Sequence, residues 1–108
     1  MSTNSINVHI RPITSSRSGR AVANQYTIQG PGYIAFQSYD SLIAVKAGDR
    51  LTLGRHWDYS VTTSKYLWQW LSDNCWYIVR QLPDGKSGAD RIRKAIAAGL
   101  IYYDPDMV

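Results

Sequence analysis

Arg55-His56-Trp57-Asp58-Tyr59-Ser60-Val61-Thr62-Thr63-Ser64-Lys65-Tyr66-Leu67-Trp68-Gln69-Trp70-Leu71 is the stretch, residues 55–71, in which a strand-patterned first half of the chain gives way to a helix-patterned second half. Asp58, Ser60, Thr62, Thr63 and Ser64 carry short polar side chains that can accept hydrogen bonds from the free N–H groups of a first helical turn. The pattern predicts a helix starting near Thr62 or Thr63. Tyr66, Leu67, Trp70 and Leu71 then fall along one helical stripe, which needs a sheet to lie on. Asp73-Asn74 is expected to stop the helix after Leu71 or Ser72.

Working back from the junction, Ala21 to Leu53 reads as strand throughout. Tyr26-Thr27-Ile28 runs to the turn signal Gly30-Pro31-Gly32, Tyr33-Ile34-Ala35-Phe36 to a polar corner at residues 37–41, and Leu42-Ile43-Ala44-Val45 to the hairpin signal Lys46-Ala47-Gly48-Asp49. Arg50-Leu51-Thr52-Leu53 follows and stops at Gly54. Short strands joined by tight connections predict an antiparallel meander. Residues 1–20 form a separate segment, an N-terminal strand at 6–10 ended by Pro12 and a basic, Ser/Thr-rich arm with a flexible loop at Thr14–Gly19. Arg17 and Arg20 in that arm are candidates for closing on phosphate or on an acidic partner.

Working forward, Trp76-Tyr77-Ile78-Val79 reads first as a strand, with a continued helix as the alternative for so short an apolar run. Leu82-Pro83-Asp84-Gly85 is a turn, and Ser87 is placed to cap a second helix over about residues 88–98. Gly99 suits a left-handed helix end, and Leu100-Ile101-Tyr102-Tyr103 reads as a last short strand. The whole is one α+β unit, residues 21–108 plus the N-terminal segment: an antiparallel sheet with two helices packed on one face.

Composition narrows the function classes. With 108 residues the chain has room for one core, and the hydrophobic and charged fractions of 44% and 19% are those of a globular protein. No apolar run is long enough for a membrane span and no signal-peptide pattern opens the chain, so a cytoplasmic protein is expected. The single cysteine, Cys75, has no disulfide partner, and with His9 and His56 far apart no metal site or cofactor is expected. All the acids are Asp, and the net charge is +4. That balance allows phosphate contact without demanding it.

His56, Asp58 and Ser60 invite comparison with a hydrolytic triad, but a nucleophile, base and orienter must converge on one point, and side chains this close in sequence serve a helix start more simply. No phosphate loop, Cys-x-x-Cys or paired Glu is present, so the expectation is a protein that is not an enzyme. The aromatic content points to contact instead: four Trp and eight Tyr, types over-represented at binding hot spots. On a helix Trp68 and Trp70 point roughly 200° apart, so Trp68 is the one expected to be partly exposed. Arg17, Arg20, Arg55, Trp57, Lys65, Trp68, Arg91 and Lys94 are the candidate binding residues, for a protein interface or for nucleic acid.

Ser38-Tyr39-x-Ser41-x-Ile43-Ala44, then Gly48 and Leu53, then Trp57-Asp58-Tyr59-Ser60-x-Thr62-Thr63-x-Lys65-Tyr66 and Leu71 resemble a family of small uncharacterised bacteriophage and mobile-element proteins. The resemblance covers roughly residues 35–72; Trp70 departs from it. It implies a setting, a phage genome expressed in host cytoplasm, and by association a non-enzymatic accessory or anti-defence protein that binds a host protein or complex. Physically, Asp58, Tyr59, Ser60, Thr62 and Thr63 read as a structural junction, with Trp57 and Tyr59 packing across the sheet while Asp58 and the hydroxyls satisfy the helix start. The alternative is a nucleic-acid-binding protein. An interface protein, self-paired in a homodimer or not, should show an apolar-aromatic patch, and a nucleic-acid binder a continuous basic stripe.

Overall fold

Alternating apolar residues and tight turns form six strands in the computed structural model, which describes residues 7–108. In chain order they are β1 (His9–Thr14), β2 (Ala21–Gly30), β3 (Tyr33–Ser38), β4 (Ser41–Ala47), β5 (Arg50–Gly54) and, after the helices, β6 (Tyr102–Asp104). Spatial order equals sequence order. The first five are an antiparallel meander, as the turn signals require. β6 departs from it by running parallel to β5, because the helices intervene and return the chain to the sheet in the same direction. It starts at Tyr102, two residues later than the apolar run suggests.

α1 (Val61–Asn74) begins where the junction predicts, with Ser60 as its N-cap accepting from the Thr63 N–H at 3.1 Å. Its buried face is Thr63, Leu67, Trp70 and Leu71, and each large apolar side chain there contributes about 1.5–3 kcal/mol by burial. The helix runs on through Asp73 and Asn74, because the Asn74 amide donates back to the Trp70 carbonyl at 2.9 Å instead of breaking the turn. Trp76–Val79 is a short helix, α2, and not a strand: both sheet edges lie elsewhere, and Ile78 and Val79 reach the core from a helical turn. There are thus three helices, α3 (Gly88–Ala97) being capped by Ser87 and ended by Gly99 at φ +82° as expected.

One face of the sheet takes all the helical packing. Ile13, Phe36, Ala44, Leu51 and Leu53 join Trp57, Leu67, Trp70, Leu71, Ile78, Ile92 and Ala95 in a single core. A bulge in β4 leaves Ile43 without a strand partner, which is how Ile43 and Ala44, neighbours in sequence, both enter that core.

The N-terminal expectations need correction. The strand over 6–10 lies partly outside the described residues; the observed strand begins at His9 and contains Pro12, paired opposite Tyr26. β1 is an edge strand with a register shift just after Pro12, so the missing N–H costs no ladder bond. The loop after it is a tied turn: Gly19 N–H donates to the Ser15 carbonyl at 2.8 Å, and Ser15 Oγ accepts from the N–H groups of Arg17 and Ser18.

Candidate functional site

Two polar corners on one end of the sheet enclose a cleft of about 640 Å³. One wall is the β3–β4 turn, Ser38-Tyr39-Asp40-Ser41; the other is the β5–α1 junction, with His56, Tyr59, Ser60, Thr62 and Thr63. Ile43, turned inward by the β4 bulge, lies beneath. The walls are joined at the bottom, where Ser38 Oγ and Thr63 Oγ1 are 2.9 Å apart and both side chains are buried. Ser60 Oγ donates to the same Thr63 oxygen at 3.1 Å, so helix cap and cleft floor are one hydrogen-bond network.

The rim is aromatic. Tyr39 sits at φ +54°, a left-handed conformation costing an aromatic residue roughly 1–2 kcal/mol. It is held there by its N–H donating to the Asn24 carbonyl at 2.7 Å, itself at φ +65°, and by the Gln37 amide donating to its carbonyl at 2.8 Å. Opposite, the His56 and Tyr59 rings meet edge to face at 5.7 Å. Tyr59 is 71% exposed, so it does not pack across the sheet as expected; the tight turn closed by its N–H on the His56 carbonyl aims it outward. Trp57, two residues earlier, is buried.

Asp58 does not cap the helix. Its carboxylate pairs with Arg93 of α3 at 3.1 Å and lines a second groove, between α1 and α3, that shares Ser60 with the cleft. His56 and Ser60 line the cleft without it, so the three do not form a triad. Among the described residues no cluster of three metal-binding side chains occurs.

The basic candidates disperse. Lys65 and Trp68 do share the α1–α3 groove, together with Arg93, which the candidate set lacked. Trp68 is half-buried beneath Gly88 and the Arg91 guanidinium, and Lys65 lies over the Tyr66 ring at 5.1 Å. Arg55 donates to the Pro105 carbonyl at 3.0 Å, Arg91 to the Pro83 carbonyl at 3.0 Å, and Lys94 to the Asp84 carbonyl at 3.1 Å and the Asp90 carboxylate at 3.3 Å. Arg17 and Arg20 stand at the β1–β2 turn and line neither the cleft nor the groove. These positions make no continuous basic stripe among the described residues.

The sheet face opposite the helices is different. Strand alternation places Ile10, Ile28, Ala35, Val45, Thr52 and Tyr102 on it, and the registers align them as one uncharged row across all six strands. Ile10 and Tyr102 are exposed at its ends, the Arg50 guanidinium lying over the Tyr102 ring at 4.3 Å; Ile28, Val45 and Thr52 are half-buried and Ala35 is buried. Among the described residues no helix covers this row, and none of it belongs to the helix-side core. Nor, among the described residues, is any helix long and apolar enough to cross a membrane.

Sequence reasoning missed Asp40, Tyr39 and this row. The signal for the cleft was present in the Ser38-Tyr39-x-Ser41 motif, whose partner in space is the Tyr59-Ser60-x-Thr62-Thr63 motif. Comparison with curated proteins and with solved structures returned no match. Residues 8–83, which contain both walls of the cleft, match a family of unknown function, and the chain belongs to that family, DUF8033.

Proposed function

We propose that the chain is a non-enzymatic accessory protein of the host cytoplasm that acts by protein–protein contact, with the helix-free sheet face as its contact surface. The observation that carries this reading is the uncharged in-register row from Ile10 to Tyr102. An apolar sheet face with its helices all on the other side leaves area that association can bury. The partner it suits presents an apolar surface of its own. In the phage setting that the junction motif implies, that partner is a host protein, a component of a defence complex being one such class.

The rival, nucleic-acid binding, is favoured by the groove that brings Lys65, Trp68 and Arg93 together. Against it stands the engagement of Arg55, Arg91, Arg93 and Lys94 with internal carbonyls and carboxylates, which phosphates would have to displace. One set of variants separates the readings. Val45→Lys places a charge in the row without touching the helix-side core, and Lys65→Ala with Trp68→Ala strips the groove. Cross-linking in host lysate should give a partner that Val45→Lys loses and the groove variant keeps. Oligonucleotide binding that falls steeply between about 50 and 200 mM salt, and that only the groove variant loses, would overturn the proposal. Light scattering on the purified chain distinguishes a host partner from a second copy.

A further inference from the structure

The cleft carries a chemistry of its own, independent of the sheet face. In a chain of net charge +4, no Lys or Arg lines it. Its formal charge is the Asp40 carboxylate, which is exposed and has no hydrogen bond or ion pair among the described residues. The α1–α3 groove, by contrast, holds Lys65 and Arg93, and the hollow between Arg55 and Tyr103 holds two arginines. An anion entering the cleft meets a like charge. A cation meets a carboxylate, hydroxyl oxygens of Ser41 and Thr62, the His56 imidazole beside Tyr59, and the phenol rings of Tyr39 and Tyr59, whose faces attract positive charge. Both rings are accessible, at 47% and 71% exposure. Tyr39 stands in a backbone conformation that glycine would occupy without strain, held by two hydrogen bonds, so the fold sustains a cost that keeps this ring on the rim.

We propose that the cleft between the β3–β4 turn and the β5–α1 junction binds an alkylammonium group, with Asp40 as counter-ion and Tyr39 and Tyr59 as aromatic walls. A free amine and a lysine side chain on a peptide present the same group. The volume of about 640 Å³ admits either, with space for the alkyl stem over Ile43.

The experiment is an amide NMR titration of the full chain with n-butylamine and with Nα-acetyl-lysine methylamide, using n-butanol and butyrate as neutral and anionic matches. Both amines should shift the amides of residues 38–43 and 56–63 with millimolar affinity, and butanol should bind at least about tenfold more weakly. Asp40→Asn should weaken both amines about tenfold and leave the remaining spectrum unchanged. Tyr39→Gly removes a wall while relieving the backbone, so a folded protein with weakened amine binding is expected; it separates loss of the site from loss of the fold. A lysine derivative that binds more tightly than butylamine identifies a peptide source, and the reverse a free amine. Equal binding of butanol, binding of butyrate, full affinity in Asp40→Asn, or no shift with either amine at about 50 mM would each overturn the proposal.

Discussion

The hydrogen bond between Ser38 and Thr63 ties the sheet to the start of α1, and its worth can be measured by a double-mutant cycle. Thr63→Val keeps the shape and the β-branched helix propensity but removes the oxygen that Ser38 meets at 2.9 Å and Ser60 at 3.1 Å. Ser38 is 2% exposed, so its hydroxyl is left without a partner, and the change should cost about 1–3 kcal/mol. Ser38→Ala leaves Thr63 still bonded to Ser60 and should cost about 1 kcal/mol. In the double variant no hydroxyl is stranded between the two walls, so its loss should fall short of the sum by about 1 kcal/mol. Urea denaturation with unchanged slopes reads the four stabilities, and for a chain of this size 1 kcal/mol moves the melting temperature by about 4–8 °C. Additivity within about 0.3 kcal/mol would refute the reasoning, since it would mean that the two hydroxyls do not share a bond in solution.

Gly54→Ala should destabilise by about 1–3 kcal/mol despite alanine's lower backbone entropy, because the new Cβ would lie 2.5 Å from the Met107 carbonyl oxygen and 2.7 Å from that of Leu42; a melting temperature equal to the wild type's would show that the C-terminal segment does not cross β5 there. Cys75 is fully buried and desolvation, against a smaller opposing effect of Lys46, pushes its thiol up to about 11, so it should resist thiol reagents at pH 8 until the chain unfolds. The folded state then holds the thiol proton to higher pH than the unfolded state does, so stability should fall as pH rises from about 9 towards 11, and Cys75→Ala should flatten that limb. Asp90 is held below the usual carboxylate range, first by the Lys86 N–H at 2.9 Å and then by Lys94. Its contribution is present above the ordinary carboxylate pKa and lost as pH falls through the lowered one, so Asp90→Asn should reduce stability at neutral pH and reduce the loss between neutral pH and acid; an unchanged acid limb would refute it.

The meander and both long helices were legible because local signals agreed: turn residues at the strand ends, Ser60 and Ser87 at the helix starts, Gly99 at a helix end. Where the reading failed, a tertiary effect outweighed a local one. Trp76–Val79 has strand-forming residues, but it belongs to the helical layer, with Lys46 of the interior strand β4 over the Tyr77 ring, while the sheet edges are β1 and β6. Pro12 ends strands in general and is tolerated here because β1 is an edge. The parallel pairing of β6 depends on where three helices deliver the chain, which no periodicity encodes. Among the site residues, Trp57 was chosen for its type, and burial removed it from the surface. Arg55, Arg91 and Lys94 stand out by their charge, but backbone carbonyls 50, 8 and 10 positions away in the chain take their donors. Gln25 is fully buried with neither side-chain polar atom bonded to a described residue, and neither its type nor its spacing signals that.

The junction at residues 55–60 sets the charge on both of its sides. Asp58 turns towards α3 and offsets Arg93, which leaves the α1–α3 groove with Lys65 as its unpaired cation among the described residues. Because that ion pair is exposed, its value to stability is small, and its larger effect is on the surface potential. Ser60 lies between the two hollows and lines both, and its hydroxyl bonds Thr63, which in turn meets Ser38 at the cleft floor. Asp40 is the carboxylate of the cleft, across from a wall of hydroxyls, Tyr59 and the His56 imidazole. Most basic residues lie away from the cleft and from the helix-free row, the exception being Arg50, whose guanidinium lies over the Tyr102 ring at 4.3 Å, so the overall charge of +4 does not describe the cleft. A reading from net charge alone would lead to phosphate. The local arrangement leads instead to an apolar partner on one face and an ammonium group at one end.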